Sequence, residues 1–180
     1  MNEQSTELTI PASKANLYGF LAVIVLAPLL LAPFYQIWGL SFAQISQNLH
    51  SHGLYFFLIL VIGTVVHELI HGATAAWYAG IGWENIRFGI QWQSLTPYCH
   101  SKIPMTAKKY RYVVFMPLII LGIFPYLISL GTGSGWLLTI GITFTLAAAG
   151  DVMILWLMRK INANEMVQDH PTKIGLLVNE

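Results

Sequence analysis

The chain has 180 residues, of which 56% are hydrophobic and 9% charged. A soluble domain carries roughly a quarter charged residues, so a water-soluble enzyme is excluded and a membrane protein expected. The formal net charge of +1 is uninformative in itself and no nucleic-acid partner is expected, while the single cysteine, Cys99, rules out an intrachain disulfide.

Residues 1–13 read as a short polar tail. Glu3 and Glu7 without any Lys or Arg before Ile10, followed by a long apolar stretch, argue for a retained first helix and against a cleaved signal. Four apolar stretches approach or exceed the about 20 residues that a crossing helix needs: 17–40, 54–79, 112–130 and 136–158. The first contains Pro28 and Pro33, so a kink or break is expected. A short polar loop at 41–53 ends in His50 and His52, read as solvated side chains and not as ligands. The second span stops at Ala79-Gly80-Ile81-Gly82.

The period then changes. Ile86, Phe88, Ile90 and Trp92 alternate with Arg87, Gly89, Gln91 and Gln93, which argues for a strand. A turn at Ser94 to Pro97 and a return over Tyr98 to Ile103 make a small β-hairpin. Pro104 and Thr106 open the third helix, which Pro117 and Pro125 should bend. The fourth span carries Asp151 and ends at Arg159-Lys160, before a polar tail with a short apolar end, Ile174 to Val178. The expected architecture is an all-α membrane protein, a single domain over 1–180, with four transmembrane helices and the hairpin between helices 2 and 3.

The basic residues orient it. Lys14, Arg87, Lys102, Lys108, Lys109, Arg111, Arg159, Lys160 and Lys173 all fall on one side of a four-span chain. The positive-inside rule places that side, with both termini and the hairpin, in the cytoplasm.

Only two acidic residues, Glu68 and Asp151, lie within the spans. An ionisable group there is expensive and points to a site. In His67-Glu68-Leu69-Ile70-His71 the two histidines are one turn apart on one helix face, where their imidazoles can converge on a metal. Glu68 lies about 100° around the helix, placed to reach a water on that metal as a general base. The bland alternative is hydrogen bonding between helices. A third ligand is chosen by depth. His71 precedes Gly80 by nine positions and Asp151 precedes Arg159 by eight, about 13 and 12 Å at the helical rise. Asp151 therefore reaches the level of the histidines, as a ligand or as a group orienting an imidazole. His100 and Asp169 are weaker candidates outside the membrane, and Glu165 and His170 read as surface groups.

The HELIH motif within a span, the glycine stop, the β-like segment and the later intramembrane acid together resemble the site-2 class of intramembrane metalloproteases. More closely, the layout is similar to a small bacterial family of membrane HExxH proteins of unknown function, the putative zincin peptidases. The resemblance runs from the first span to Asp169-His170-Pro171. It implies a Zn2+-dependent endopeptidase of the bacterial cell membrane that cuts a membrane-associated protein within or near the bilayer. His67 and His71 would be its ligands and Glu68 its base. In site-2 proteases the third ligand is an Asp followed by Gly in a longer motif with Asn and Pro; here Asp151 follows Gly150 and precedes Val152.

An unwound substrate could pair with the edge of the 86–93 strand, making Phe88 and Ile90 substrate-binding residues; a purely structural hairpin fits equally well. Two other functions use the same cluster: a metal or proton transporter, and a non-catalytic pseudo-protease that binds membrane partners. Oligomeric state stays open.

Overall fold

A computed structural model describes residues 5–39, 42–92 and 96–179. Among the described residues, four helices are long and apolar enough to cross a membrane: Ala12–Trp38, His52–Tyr78, Ala107–Thr132 and Gly135–Lys160. Helix α1 (Ala12–Trp38) runs unbroken through Pro28 and Pro33 and ends at Gly39, whose φ of 66° only glycine adopts readily. Tyr126 donates its hydroxyl hydrogen to the Leu30 carbonyl at 3.0 Å, beside the carbonyl that Pro33 leaves without its helical partner.

Helix α2 (Phe42–Ala73) begins earlier than expected. The segment read as a polar loop is helical from Phe42 onward, with one non-helical residue, His52, at φ −125° and ψ 17°. Polarity was a poor guide, because 42–51 contains neither Gly nor Pro to stop a helix. The His52 ring meets Trp136 edge-on with centroids 5.6 Å apart, while the side chain of His50 lies outside the described residues. Just past His71 the helix widens into a π-turn over Thr74–Tyr78, and Gly80 at φ 74° ends it.

The third span comprises α3 (Ala107–Pro117), a π-helical stretch (Leu118–Ile123) and α4 (Phe124–Thr132). Pro117 and Pro125 bracket the widened turns, as expected where proline removes a backbone donor. The fourth comprises α5 (Gly135–Ala147) and α6 (Ala149–Leu157), interrupted at Ala148, one turn before Asp151.

The chain is mostly helical but not all-α. Strands β2 (Ile86–Gln91) and β3 (Thr96–Ser101) form a two-stranded antiparallel sheet in which Ile86 faces Ser101 and Gln91 faces Thr96. Residues 93–95, where the first strand was expected to end and the turn to begin, lie outside the described residues, and Thr96 and Pro97, expected in the turn, instead open β3. A second, four-stranded sheet has the order β1-β6-β5-β4, from β1 (Ser5–Ile10), β4 (Met105–Thr106), β5 (Met166–Asp169) and β6 (Ile174–Asn179). Both tails read as polar extensions therefore become strands. Neither is long or strongly alternating, and each is stabilised by a partner at the opposite end of the chain, pairing Ser5 with Asn179 through Ile10 with Ile174.

The buried core lies where the helix ends meet this second sheet. Ala107, Met158, Val167 and Leu176 have no exposed surface there, and Tyr110 and Val178 are nearly as enclosed. Along the spans the large apolar side chains point outward, among them Phe20, Val25, Leu29 and Ile62. Such faces suit helices of the length and composition that can cross a membrane, where hydrocarbon takes the place of protein cover. Lys109 donates to the Ala79 carbonyl at 2.9 Å. Arg111 donates to the Met158 and Ile161 carbonyls at 2.8 and 2.6 Å. These cations satisfy the carbonyls that two helix ends leave open.

Candidate metal centre

His67 and His71 stand one turn apart on α2 and are nearly buried, each 9% exposed. Their Nε2 atoms are 3.2 Å apart. Asp151, in the first turn of α6, places Oδ2 3.1 Å from Nε2 of His67 and Oδ1 3.5 Å from Nε2 of His71. The ligand atoms of the three residues lie within 4.8 Å of one another, and among the described residues they form the one group of this kind. The break at Ala148 lets the last span turn Asp151 toward α2.

The hydrogen-bond pattern sets the tautomer of His71. Its Nδ1 lies 2.9 Å from the Val113 carbonyl on α3. A carbonyl only accepts, so Nδ1–H donates and Nε2 of the neutral ring is left as a bare lone pair aimed at His67 and Asp151. Asp151 Oδ2 is buried and makes no hydrogen bond among the described residues. It is close to His67 in distance, but the nitrogen does not donate along that line. With the His67 proton on Nδ1, as ligation through Nε2 requires, all three groups direct lone pairs at one point, which at low dielectric is unfavourable unless a cation sits among them.

The spacing suits zinc. Two ligands about 2.05 Å from a tetrahedral ion are about 3.3 Å apart, against contacts of 3.1, 3.2 and 3.5 Å here. Two nitrogens and one oxygen leave a fourth position for water, the ligand count of catalytic sites. The backbone carbonyl behind His71 is the kind of partner that orients a metal-bound imidazole.

Glu68 is half-buried on the neighbouring face of α2. Strand β3 packs against α2 on this side. Its Cys99 thiol is pushed up to about 12, first by burial and then by the negative charges of Glu68 and Asp169. Phe88 lies over Gly72, next to His71: a Cβ added at Gly72 would meet the ring tip at 2.4 Å. Phe88 is 42% exposed and Ile90 46%. The edge of β2 opposite β3 carries no strand among the described residues.

The other residues singled out from sequence have different tasks. Asp169 uses both oxygens elsewhere, accepting from the Tyr110 hydroxyl at 2.5 Å and from the Ser101 backbone N–H at 2.9 Å. His100 stacks near Tyr98, with ring centroids 4.5 Å apart. Glu165 accepts from the backbone and side-chain amides of Asn162. His170 is not a surface group but 5% exposed. Its Nδ1 accepts the N–H groups of Thr172 and Lys173 at 3.1 and 2.9 Å, holding the turn into β6. Sequence reading missed Val113 and Tyr110; both present ordinary helix-interior signals, and Val113 acts only through its backbone.

No curated protein and no solved structure matches this chain. One family model does, over residues 60–166, more than half of the sequence and enough to take in both histidines, Glu68 and Asp151. With His67, His71 and Asp151 converging and Glu68 beside them, the match and the geometry meet on the same residues: the chain belongs to the family described as a putative zincin peptidase.

Proposed function

We propose that this is a zinc-dependent endopeptidase that hydrolyses a membrane-associated protein within or at the surface of the bacterial cell membrane. The observation that carries the reading is the convergence of two imidazole nitrogens and an unsatisfied carboxylate oxygen, inside apolar spans, at separations suited to one divalent ion. His67, His71 and Asp151 would hold it. A bound zinc supplies Lewis acidity, making its water acidic near neutral pH and polarising a carbonyl. Asp151 and Glu68 balance the divalent charge, which lowers the cost of keeping it within the bilayer. The Val113 carbonyl keeps the Nε2 lone pair of His71 directed inward. Glu68 takes a proton from the attacking water and returns it to the leaving amine.

The unwound substrate pairs with the free edge of β2, its side chains passing Phe88 and Ile90. Edge pairing suits a peptide whose helical hydrogen bonds have been opened, because it re-satisfies the amides. Both termini and both sheets lie on the cytoplasmic side. Support comes from the basic residues, which gather at the helix ends beside those sheets.

The test is Glu68→Gln in protein loaded with zinc. Metal content should match wild type while cleavage of a co-reconstituted membrane substrate falls by about 10²- to 10⁴-fold, the usual worth of a general base. Cleavage that persists in Glu68→Gln would remove Glu68 as the base, no cleavage by zinc-loaded wild type would sink the hydrolase reading, and zinc flux into vesicles without cleavage would favour a transporter. In the same assay Ile90→Pro, which removes an edge donor, should reduce cleavage with zinc retained; unchanged turnover would leave the sheet a structural part only.

A further inference from the structure

A groove runs between α3 and α6 at the basic end of the bundle, lined by Lys108, Arg111, Tyr112, Phe115 and Leu155. The four α3 residues follow an i, i+3, i+4, i+7 spacing, so they form one stripe along one helix face. The stripe is ordered by polarity. Its cations lie nearest the sheets and its apolar members lie deeper in the span, with Tyr112 48% and Phe115 38% exposed toward the hydrocarbon. A phospholipid has the same order, phosphate above and acyl chain below.

The charges fit this reading. Lys108 is exposed, and its ammonium makes no hydrogen bond or ion pair among the described residues. It sits in the first turn of α3, where the helix dipole already places positive charge and favours an anion. Arg111 directs Nη2 to the carbonyls that end the fourth span. Its Nε and Nη1 hydrogens donate to nothing among the described residues. Basic pockets between transmembrane helices recognise anionic headgroups. A bare phosphate would satisfy the two cations but leave Tyr112, Phe115 and Leu155 uncovered.

We propose that this groove binds an anionic phospholipid, its phosphate held by Lys108 and Arg111 and an acyl chain lying along Tyr112, Phe115 and Leu155. The site is separate from the metal centre. It nevertheless touches α3, which carries Val113, and α6, which carries Asp151 one turn from Leu155.

The full chain in mild detergent can be titrated with phosphatidylglycerol or phosphatidylcholine of matched chains and read by native mass spectrometry. Phosphatidylglycerol should be retained at one per chain, phosphatidylcholine should not, and excess inorganic phosphate should not displace the lipid. Lys108→Gln should weaken retention about five-fold, the worth of one basic residue at a membrane surface. Lys160→Gln removes the same charge from the same end of the bundle but outside the groove, and should change retention less than about two-fold. Thermal melts establish that both variants fold. Equal losses in the two variants would reduce the effect to general surface charge, and equal retention of the two lipids, or displacement by phosphate, would also overturn the proposal.

Discussion

His71 is held at Nδ1 by the Val113 carbonyl and turns Nε2 toward His67 and Asp151. That arrangement gives the residue a single useful tautomer, with the Nε2 lone pair left to take a cation. Asp151 is the residue whose role matters most for the chemistry. As a ligand it contributes charge directly to the ion; as an orienting partner it would act only through an imidazole. Asp151→Asn separates the two. Loss of a partner that merely orients a ligand costs about 10- to 100-fold in metal affinity, and a larger loss is expected here. Competition with a chelator of known affinity measures it, and a decrease inside that range would demote Asp151 to an orienting role. The pairing of His67 with His71 was legible from the sequence because one helix turn fixes it. Asp151 was legible only through depth, since two helices ending on the same side place residues eight or nine positions from their ends at one level. Val113 was not legible, because a backbone carbonyl carries no residue signature.

Between elements, close approach is set by glycine. At Gly141 on α5 a Cβ would lie 2.6 Å from the Tyr126 nitrogen and 2.7 Å from its Cα. Those atoms are α4 backbone and cannot move without separating the two helices. Gly141→Ala should therefore lower stability by about 1–3 kcal/mol, as overpacking does. Gly131→Ala, where nothing lies within 4 Å, should be neutral or stabilise its helix by up to about 1 kcal/mol. Thermal melts in one detergent compare them, and equal behaviour would remove the tight α4–α5 contact. The same scale explains the tails. Residues 5–10 and 174–179 are each too short to announce a strand, and their hydrogen bonds close only when the ends of the chain meet. The helical start at Phe42 was hidden for a different reason: a polar stretch without helix breakers is compatible with either loop or helix, and here it is a helix joined to the span across a kink at His52.

Over the whole molecule, the four-stranded sheet joins the first and last segments on one side of the bundle. Glu7 on β1 is clamped to that assembly by Lys173, 2.5 Å away, whose hydrogen bond and positive charge hold the Glu7 carboxyl below its usual value of 4.5. A carboxyl depressed on folding contributes stability above its unfolded pKa, and that contribution is lost as pH falls through the folded value. Backbone amides of β1 should thus exchange faster as pH drops below about 4.5, after correction for intrinsic exchange, and Glu7→Gln should remove this dependence. A β1 whose corrected exchange ignores pH would show that the clamp holds nothing. The sequence by itself determined four helices apolar enough to cross a membrane, the basic residues clear of their apolar middles and the His67–Glu68–His71 triplet on one helix, because hydropathy and helical period are local properties. Only the tertiary structure decided the tautomer of His71 and the sheet that joins residues 5–10 to residues 174–179. Each depends on partners far apart in the chain, 42 residues for His71 with Val113 and 166 for Glu7 with Lys173, and no short window contains both halves of such a contact.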